Sequence, residues 1–140
     1  MSKISQELQK IACHHKGILR PEAVVEAARP VISPLHSSFE WDDRKGAHEY
    51  RLNQARHLIV TVYTTATIEK KPVRVQVWVS LKRDQKRPGG GFRQITAVLE
   101  DEQMKAELLS EALAAAFYFR NKYRGLEKLS KVFAAIDDLT

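Results

Sequence analysis

Val73, Val75, Val77, Val79 and Leu81 recur at every second position and are separated by Arg74, Gln76, Trp78, Ser80 and Lys82. Successive side chains of a strand point to opposite faces, so this period of two commits the segment to a half-buried β-strand. Such a strand needs antiparallel partners and a cover for its apolar face. Residues 59–68, rich in Val, Thr and Tyr, supply one partner across a turn at Glu69-Lys70-Lys71-Pro72. A loop from Arg83 to Gly91 leads to a third strand, Phe92 to Leu99. Three antiparallel strands form a stable unit when helices cover one face.

The period is helical on both sides of this sheet. Ile4, Leu8, Ile11 and Ala12 mark a first amphipathic helix from Lys3 to about His14, closed by Gly17. Pro21 opens a second helix at the position where its missing N–H costs nothing, with Val24, Val25 and Ala28 on its apolar face and Pro30 as its stop. The connection from Val31 to Trp41 carries Leu35, Phe39 and Trp41, large apolar groups that predict packing onto the core. Asp42 or Asp43 is expected to cap a third helix running to about Leu58, with Ala47, Leu52, Ala55, Leu58 and Ile59 in one arc. His48 and Arg51 fall inside that arc, and a buried guanidinium must be paired, so Asp42, Asp43 or Glu26 is expected to hold Arg51. Asp101 caps a long apolar helix through Phe119, predicted to be the central packing element, and Gly125 separates it from a last helix. The predicted class is α+β: N-terminal helices, a three-stranded antiparallel sheet and a C-terminal helical hairpin, in a single domain over residues 1–140.

With 140 residues the chain is long enough to bury roughly two thirds of its unfolded surface without a staple. Cys13 is the only cysteine, which excludes an internal disulfide, fits a reducing compartment and reads as a small buried or half-buried hydrophobe. Residues 1–10 lack the apolar run of a signal peptide, and no apolar stretch is long enough to span a bilayer, so the expected setting is cytoplasmic, with no membrane partner.

The net charge of +6 is localised. From Glu69 to Arg93, eight basic residues (Lys70, Lys71, Arg74, Lys82, Arg83, Lys86, Arg87 and Arg93) face two acidic ones, Glu69 and Asp84; elsewhere the signs balance. A confined excess points to an anionic partner. Lys82, Arg83, Lys86 and Arg87 precede Gly89-Gly90-Gly91, followed by Arg93. Cations beside glycines can follow a phosphate backbone, and glycine lets backbone N–H groups approach an anion. The alternative is a solvated loop whose charge keeps an exposed edge soluble. The run is no P-loop, because no Gly-Lys-Ser/Thr ending follows.

Three helices followed by a hairpin with Lys70 and Lys71 at its tip is also the order of a winged helix-turn-helix. Under that reading of the N-terminal half, Lys45, Glu49, Asn53, Arg56 and His57 point outward from the third helix, and Asn53 and Arg56 are types that read base edges. The separation of the second and third helices is longer than the motif's short turn. The five histidines (His14, His15, His36, His48 and His57) show no zinc-site spacing, Asp42-Asp43 reads as a cap, and Cys13 beside His14 and His15 has no orienting third group. No catalytic residue, metal or cofactor is expected. Phe117, Tyr118, Phe119 and Tyr123 belong to the core or to a homodimer contact.

The stretch from Leu19 to Arg29 (LRPEAVVEAAR), the block from Ser33 to Asp43 (SPLHSSFEWDD) and the run from Tyr50 to Arg56 (YRLNQAR) resemble a family of small proteins encoded by bacteriophages and prophages. The resemblance spans most of the chain and implies a phage origin and a bacterial cytoplasm. It brings no activity and no catalytic residues with it. The functional expectation is an accessory protein that binds nucleic acid, DNA ahead of RNA, through Lys70, Lys71, Lys82, Arg83, Lys86, Arg87 and Arg93 with Asn53 and Arg56. The alternative is a module that binds and modulates a host or phage protein.

Overall fold

The computed structural model describes residues 2–43 and 47–139. Where the sequence reads as one domain, the contacts divide the chain into two compact units, Met1–Ala97 and Val98–Thr140. Its elements are α1 (Lys3–His14), β1 (Ile18–Leu19), α2 (Pro21–Ala28), α3 (His48–Val60), β2 (Tyr63–Ile68), β3 (Lys71–Gln76), β4 (Trp78–Val79), α4 (Lys82–Gln85), β5 (Phe92–Gln94), α5 (Ile95–Glu100), α6 (Glu102–Tyr123) and α7 (Ser130–Asp137). The class is α+β, with helices around a small antiparallel sheet and further helices at the C-terminal end. No helix among the described residues is long and apolar enough to cross a membrane.

In the first unit, Leu8, Ile11 and Ala12 of α1, Val24, Val25 and Ala28 of α2 and Leu52, Ala55 and Ile59 of α3 are buried together around Trp78. Ser2 caps α1 by accepting the Ser5 N–H, and the Gly17 N–H returns to the Ala12 carbonyl to close it. The connection between α2 and α3 packs as expected at Leu35, Phe39 and Trp41, while Val31 and Ile32 face solvent. Trp41 organises this segment. Its indole N–H donates to the His36 carbonyl (2.7 Å), its ring stacks on His36 (5.0 Å between centroids), and the Arg51 guanidinium lies 5.3 Å over it.

Arg51 is buried, and its carboxylate partner is Asp43; its Nε donates to the Glu40 carbonyl at 3.1 Å. Glu26 instead bonds Arg29. The expected cap at Asp42 or Asp43 is not formed. The helix starts at His48 behind Ala47, because Asp43 is engaged with Arg51 and the Asp42 N–H donates to Glu40 Oε1.

The valine run is not one strand. β3 pairs with β2 in a two-stranded hairpin, whereas β4 joins β5 in a separate sheet ordered β1–β5–β4. Val77 is the transfer point: its N–H donates to the Val62 carbonyl (3.0 Å) and its carbonyl accepts from the Ile95 N–H (2.7 Å). Val77 and Trp78 are both buried, so the alternation that predicted Trp78 outward ends where the chain changes sheets. The three-stranded sheet therefore contains the short β1 and excludes the hairpin. The third strand is also shorter than predicted, since residues 95–100 turn into α5 with Val98 as its buried residue.

The hairpin stands outside the core. Tyr63, Ile68 and Val73 are exposed on it, so the predicted cover for the apolar face of β3 is absent among the described residues. Its two-residue loop places Glu69 (φ 51°) and Lys70 (φ 66°) in the left-handed region, the geometry that matches strand twist but favours Asn-Gly.

In the second unit, Asp101 caps α6 by accepting the Met104 N–H (2.9 Å). Phe119 packs on Phe133 of α7 (6.0 Å between centroids), and Asp137 receives Arg120 (2.7 Å) and Arg124 (3.3 Å). The predicted central packing role of α6 is overturned, because none of its residues is buried. A helix of 22 residues runs about 33 Å, and the eight-residue α7 is too short to cover it.

The strained turn yields a first prediction. Replacing Glu69 by Asn and Lys70 by Gly should stabilise the hairpin by about 1 kcal/mol by removing left-handed strain from side-chain-bearing residues. Hydrogen exchange read at the Thr64 to Thr67 amides should slow; unchanged exchange would show that the turn stores no such strain.

Candidate nucleic-acid interface

Burial of Arg51, Leu52, Ala55 and Ile59 fixes the rotation of α3 and leaves Tyr50, Asn53, Arg56 and His57 on its outer face. Arg56 Nη1 donates to Asn53 Oδ1 (2.8 Å), so the two predicted base-reading residues form one polar unit. Glu49 is also outward, while Lys45 lies outside the described residues.

The loop expected from Arg83 to Gly91 begins within one helical turn, α4, which starts at Lys82. Beyond it the Arg87 N–H donates to the Asp84 carbonyl and the Gly90 N–H to the Arg87 carbonyl. Gly89 (φ 83°) and Gly90 (φ 65°) adopt the left-handed backbone, which explains two of the three glycines by conformation. Gly91 is explained by packing: a Cβ there would stand 2.7 Å from Ile18 Cγ2. Ser80 Oγ donates to the Gly91 carbonyl (2.8 Å) and holds the end of the loop against the sheet.

This folding brings Arg56 of α3 and Arg87 of the loop to one cleft of about 450 Å³, with Gly89 to Gly91 along its wall and no carboxylate in its lining. Lys86 is exposed beside Arg87, Lys82 is exposed on α4 and Arg83 is half-buried. Lys70 and Lys71 are exposed at the hairpin tip, about 20 Å beyond the start of β4 for a six-residue strand. The cationic segment, continuous in sequence, thus forms two groups.

Arg93 belongs to neither group. Its Nε and Nη2 donate to both oxygens of Asp84 at 2.8 and 2.9 Å, and the Asp84 side chain is only 1% exposed. The sequence counted Arg93 among the phosphate contacts; the structure corrects this, because a guanidinium that leaves a buried carboxylate strands that charge in low dielectric. Register was the missing signal. Arg93 pairs with Val79 across the sheet, which places it over the start of α4.

The winged-helix order is matched in part. The hairpin follows α3 almost directly, but between α2 and α3 residues 36–41 form the Trp41 cluster in place of a short turn. His36 is structural, with its Nδ1 2.9 Å from the Ala28 carbonyl. Cys13, expected to be at least half-buried, is exposed. Among the described residues no group of three or more His, Cys, Asp or Glu side chains could hold a metal. The sequence reading also missed the stack of Arg74 over Tyr63 (4.5 Å), which follows from the register that sets Thr65 opposite Arg74 and Tyr63 opposite Gln76. Comparison with family models, with curated proteins and with solved structures returned no match.

The ion pair makes a second prediction. Asp84→Ala should cost about 3–5 kcal/mol by removing the carboxylate that takes both N–H groups of Arg93, whereas Asp84→Ala combined with Arg93→Met should recover most of that loss. Urea unfolding of the four proteins of this cycle measures it; an additive double variant would rule out the coupling.

Proposed function

We propose that this chain is a small, basic, phage-type accessory protein of the bacterial cytoplasm that binds nucleic acid, DNA ahead of RNA, by charge and shape. It carries out no reaction of its own in this reading. The observation that carries the proposal is the carboxylate-free cleft shared by Arg56, Arg87 and the glycine wall. Two guanidiniums beside backbone unobstructed by side chains suit phosphate oxygens, which accept from both kinds of donor. Lys86 extends this contact, and Asn53, bonded to Arg56, lies on the same outer face of α3. Lys70 and Lys71 supply a second contact at the end of the hairpin, in the manner of a wing on a neighbouring phosphate. Lys82 and Arg83 border the first group, and Arg93 acts from within by positioning α4.

A salt titration of duplex binding tests this reading. Each phosphate contact contributes about 0.9 to the slope of log K against log salt, so Arg56→Ala with Lys86→Ala and Arg87→Ala should flatten the slope by about 2–3, and Lys70→Ala with Lys71→Ala by about 2. Slopes equal to that of the parent in both variants would remove these residues from the interface.

A second reading, a protein-interaction module that also dimerises, is favoured by one observation. In α6, 13 of 22 residues are apolar or aromatic and none is buried, with Leu109 60% and Tyr118 67% exposed. Helices apolar around their circumference are normally covered. Light scattering should then report a dimer, or affinity purification after nuclease treatment a stoichiometric partner, and Leu109→Glu with Tyr118→Glu should abolish either. A monomer without a partner would eliminate this reading.

A further inference from the structure

A second cavity, of about 700 Å³, opens at the base of the hairpin, where the start of α1, the end of α3, β2, β3 and the end of β5 meet. Its size falls within the roughly 300–1,000 Å³ typical of small-molecule sites. Ile4, Leu58, Val62, Val77 and Ile95 make its apolar part. Ser5, Gln9, Gln94 and Thr96 add hydroxyl and amide groups. The lining contains no Asp or Glu and a single cation, Arg74.

Arg74 is not neutralised from elsewhere: no carboxylate pairs with it among the described residues. Its guanidinium lies 4.5 Å from the centroid of the Tyr63 ring, and Tyr63 is 46% exposed. The pair is held by strand register, since Arg74 is the diagonal neighbour of Tyr63 across the hairpin. A guanidinium stacked on a ring keeps its N–H edge available for phosphate, and a ring beside it offers a face to a heterocyclic base. An uncharged apolar ligand would desolvate Arg74 without pairing it, at a cost that argues against lipid-like occupants.

We propose that this cavity is a binding site for a nucleoside 5′-monophosphate unit, with the base against Tyr63 and the apolar part, base-edge groups on Gln9 or Gln94, and the phosphate on Arg74. Two sources share this chemistry: a free mononucleotide and the unpaired 5′-phosphorylated end of a strand. The site is separate from the Arg56–Arg87 cleft and does not depend on the duplex reading.

Calorimetric titration of the full chain with the four ribonucleoside 5′-monophosphates, with adenosine, with inorganic phosphate and with a 5′-phosphorylated trinucleotide tests the assignment. At least one mononucleotide or the trinucleotide should bind, with adenosine and inorganic phosphate each about tenfold weaker or more. Tyr63→Ala and Arg74→Gln should each weaken binding about tenfold, the scale of one stacked base or one charged contact. Arg74→Gln should leave the urea unfolding midpoint equal to that of the parent, as expected for an exposed side chain, so that lost binding is not lost folding. Tighter binding of the trinucleotide identifies the source as a strand end, and tighter binding of a mononucleotide as the free compound. Absence of binding by all of them at millimolar concentration, or affinity unchanged in both variants, would overturn the proposal. Arg56→Ala with Arg87→Ala should leave mononucleotide binding intact, so failure of this site and failure of the cleft are read separately.

Discussion

Asp84 and Arg93 hold the cationic loop in place from inside. A bidentate pair on a carboxylate that is 1% exposed joins the start of α4 to β5 and thereby sets where the backbone leaves the sheet and where it returns. Burying a carboxylate is tolerated only with such a partner, and the planar guanidinium matches both oxygens at once. The Arg87 N–H on the Asp84 carbonyl and the Gly90 N–H on the Arg87 carbonyl then carry the constraint outward along the loop. Placing Arg87 opposite Arg56 follows from this pair, so an arginine engaged with a buried carboxylate shapes the surface that the other cations occupy.

A comparable arrangement orders the connection between α2 and α3. Trp41 is stacked against His36, lies under Arg51 and donates to the His36 carbonyl, while Gln54 of α3 accepts from the Glu40 N–H (3.1 Å). The Ser-Pro-Leu-His and Phe-Glu-Trp-Asp-Asp blocks are thereby accounted for as determinants of fold. They orient α3, whose outer face carries Asn53 and Arg56, and so act on the candidate interface through geometry.

The surfaces left uncovered divide by chemistry. The hairpin exposes apolar side chains but ends in lysines and carries the Tyr63–Arg74 stack at its base. In the second unit α6 is aliphatic and aromatic, and Arg120, Arg124 and Asp137 tie it to α7. In the first unit the cleft that Arg56 and Arg87 share has no carboxylate in its lining. In the second unit Leu109 and Tyr118 of α6 are exposed.

Periodicity alone located the first two helices, the end of the third, the hairpin pair β2–β3 and the capped start of α6, because each is decided by local spacing and by capping or turn residues such as Asp101 and Pro21. It also required a partner for Arg51, since burial of a guanidinium is forbidden without one. Which carboxylate answered could not be read from the chain, because Asp42, Asp43 and Glu26 are equivalent until the connection folds. The same limit applied to Arg93, counted with the other cations until sheet register set it over Asp84. The transfer of the valine run between sheets at Val77 also depended on hydrogen bonds to Val62 and Ile95, residues distant in sequence. The amino-acid order by itself determined the α+β class, the buried faces of α1 and α2 and the segment that carries the charge. Tertiary structure alone decided which charges remain at the surface, because whether a cation meets water, phosphate or a buried carboxylate depends on neighbours that only chain folding brings within reach.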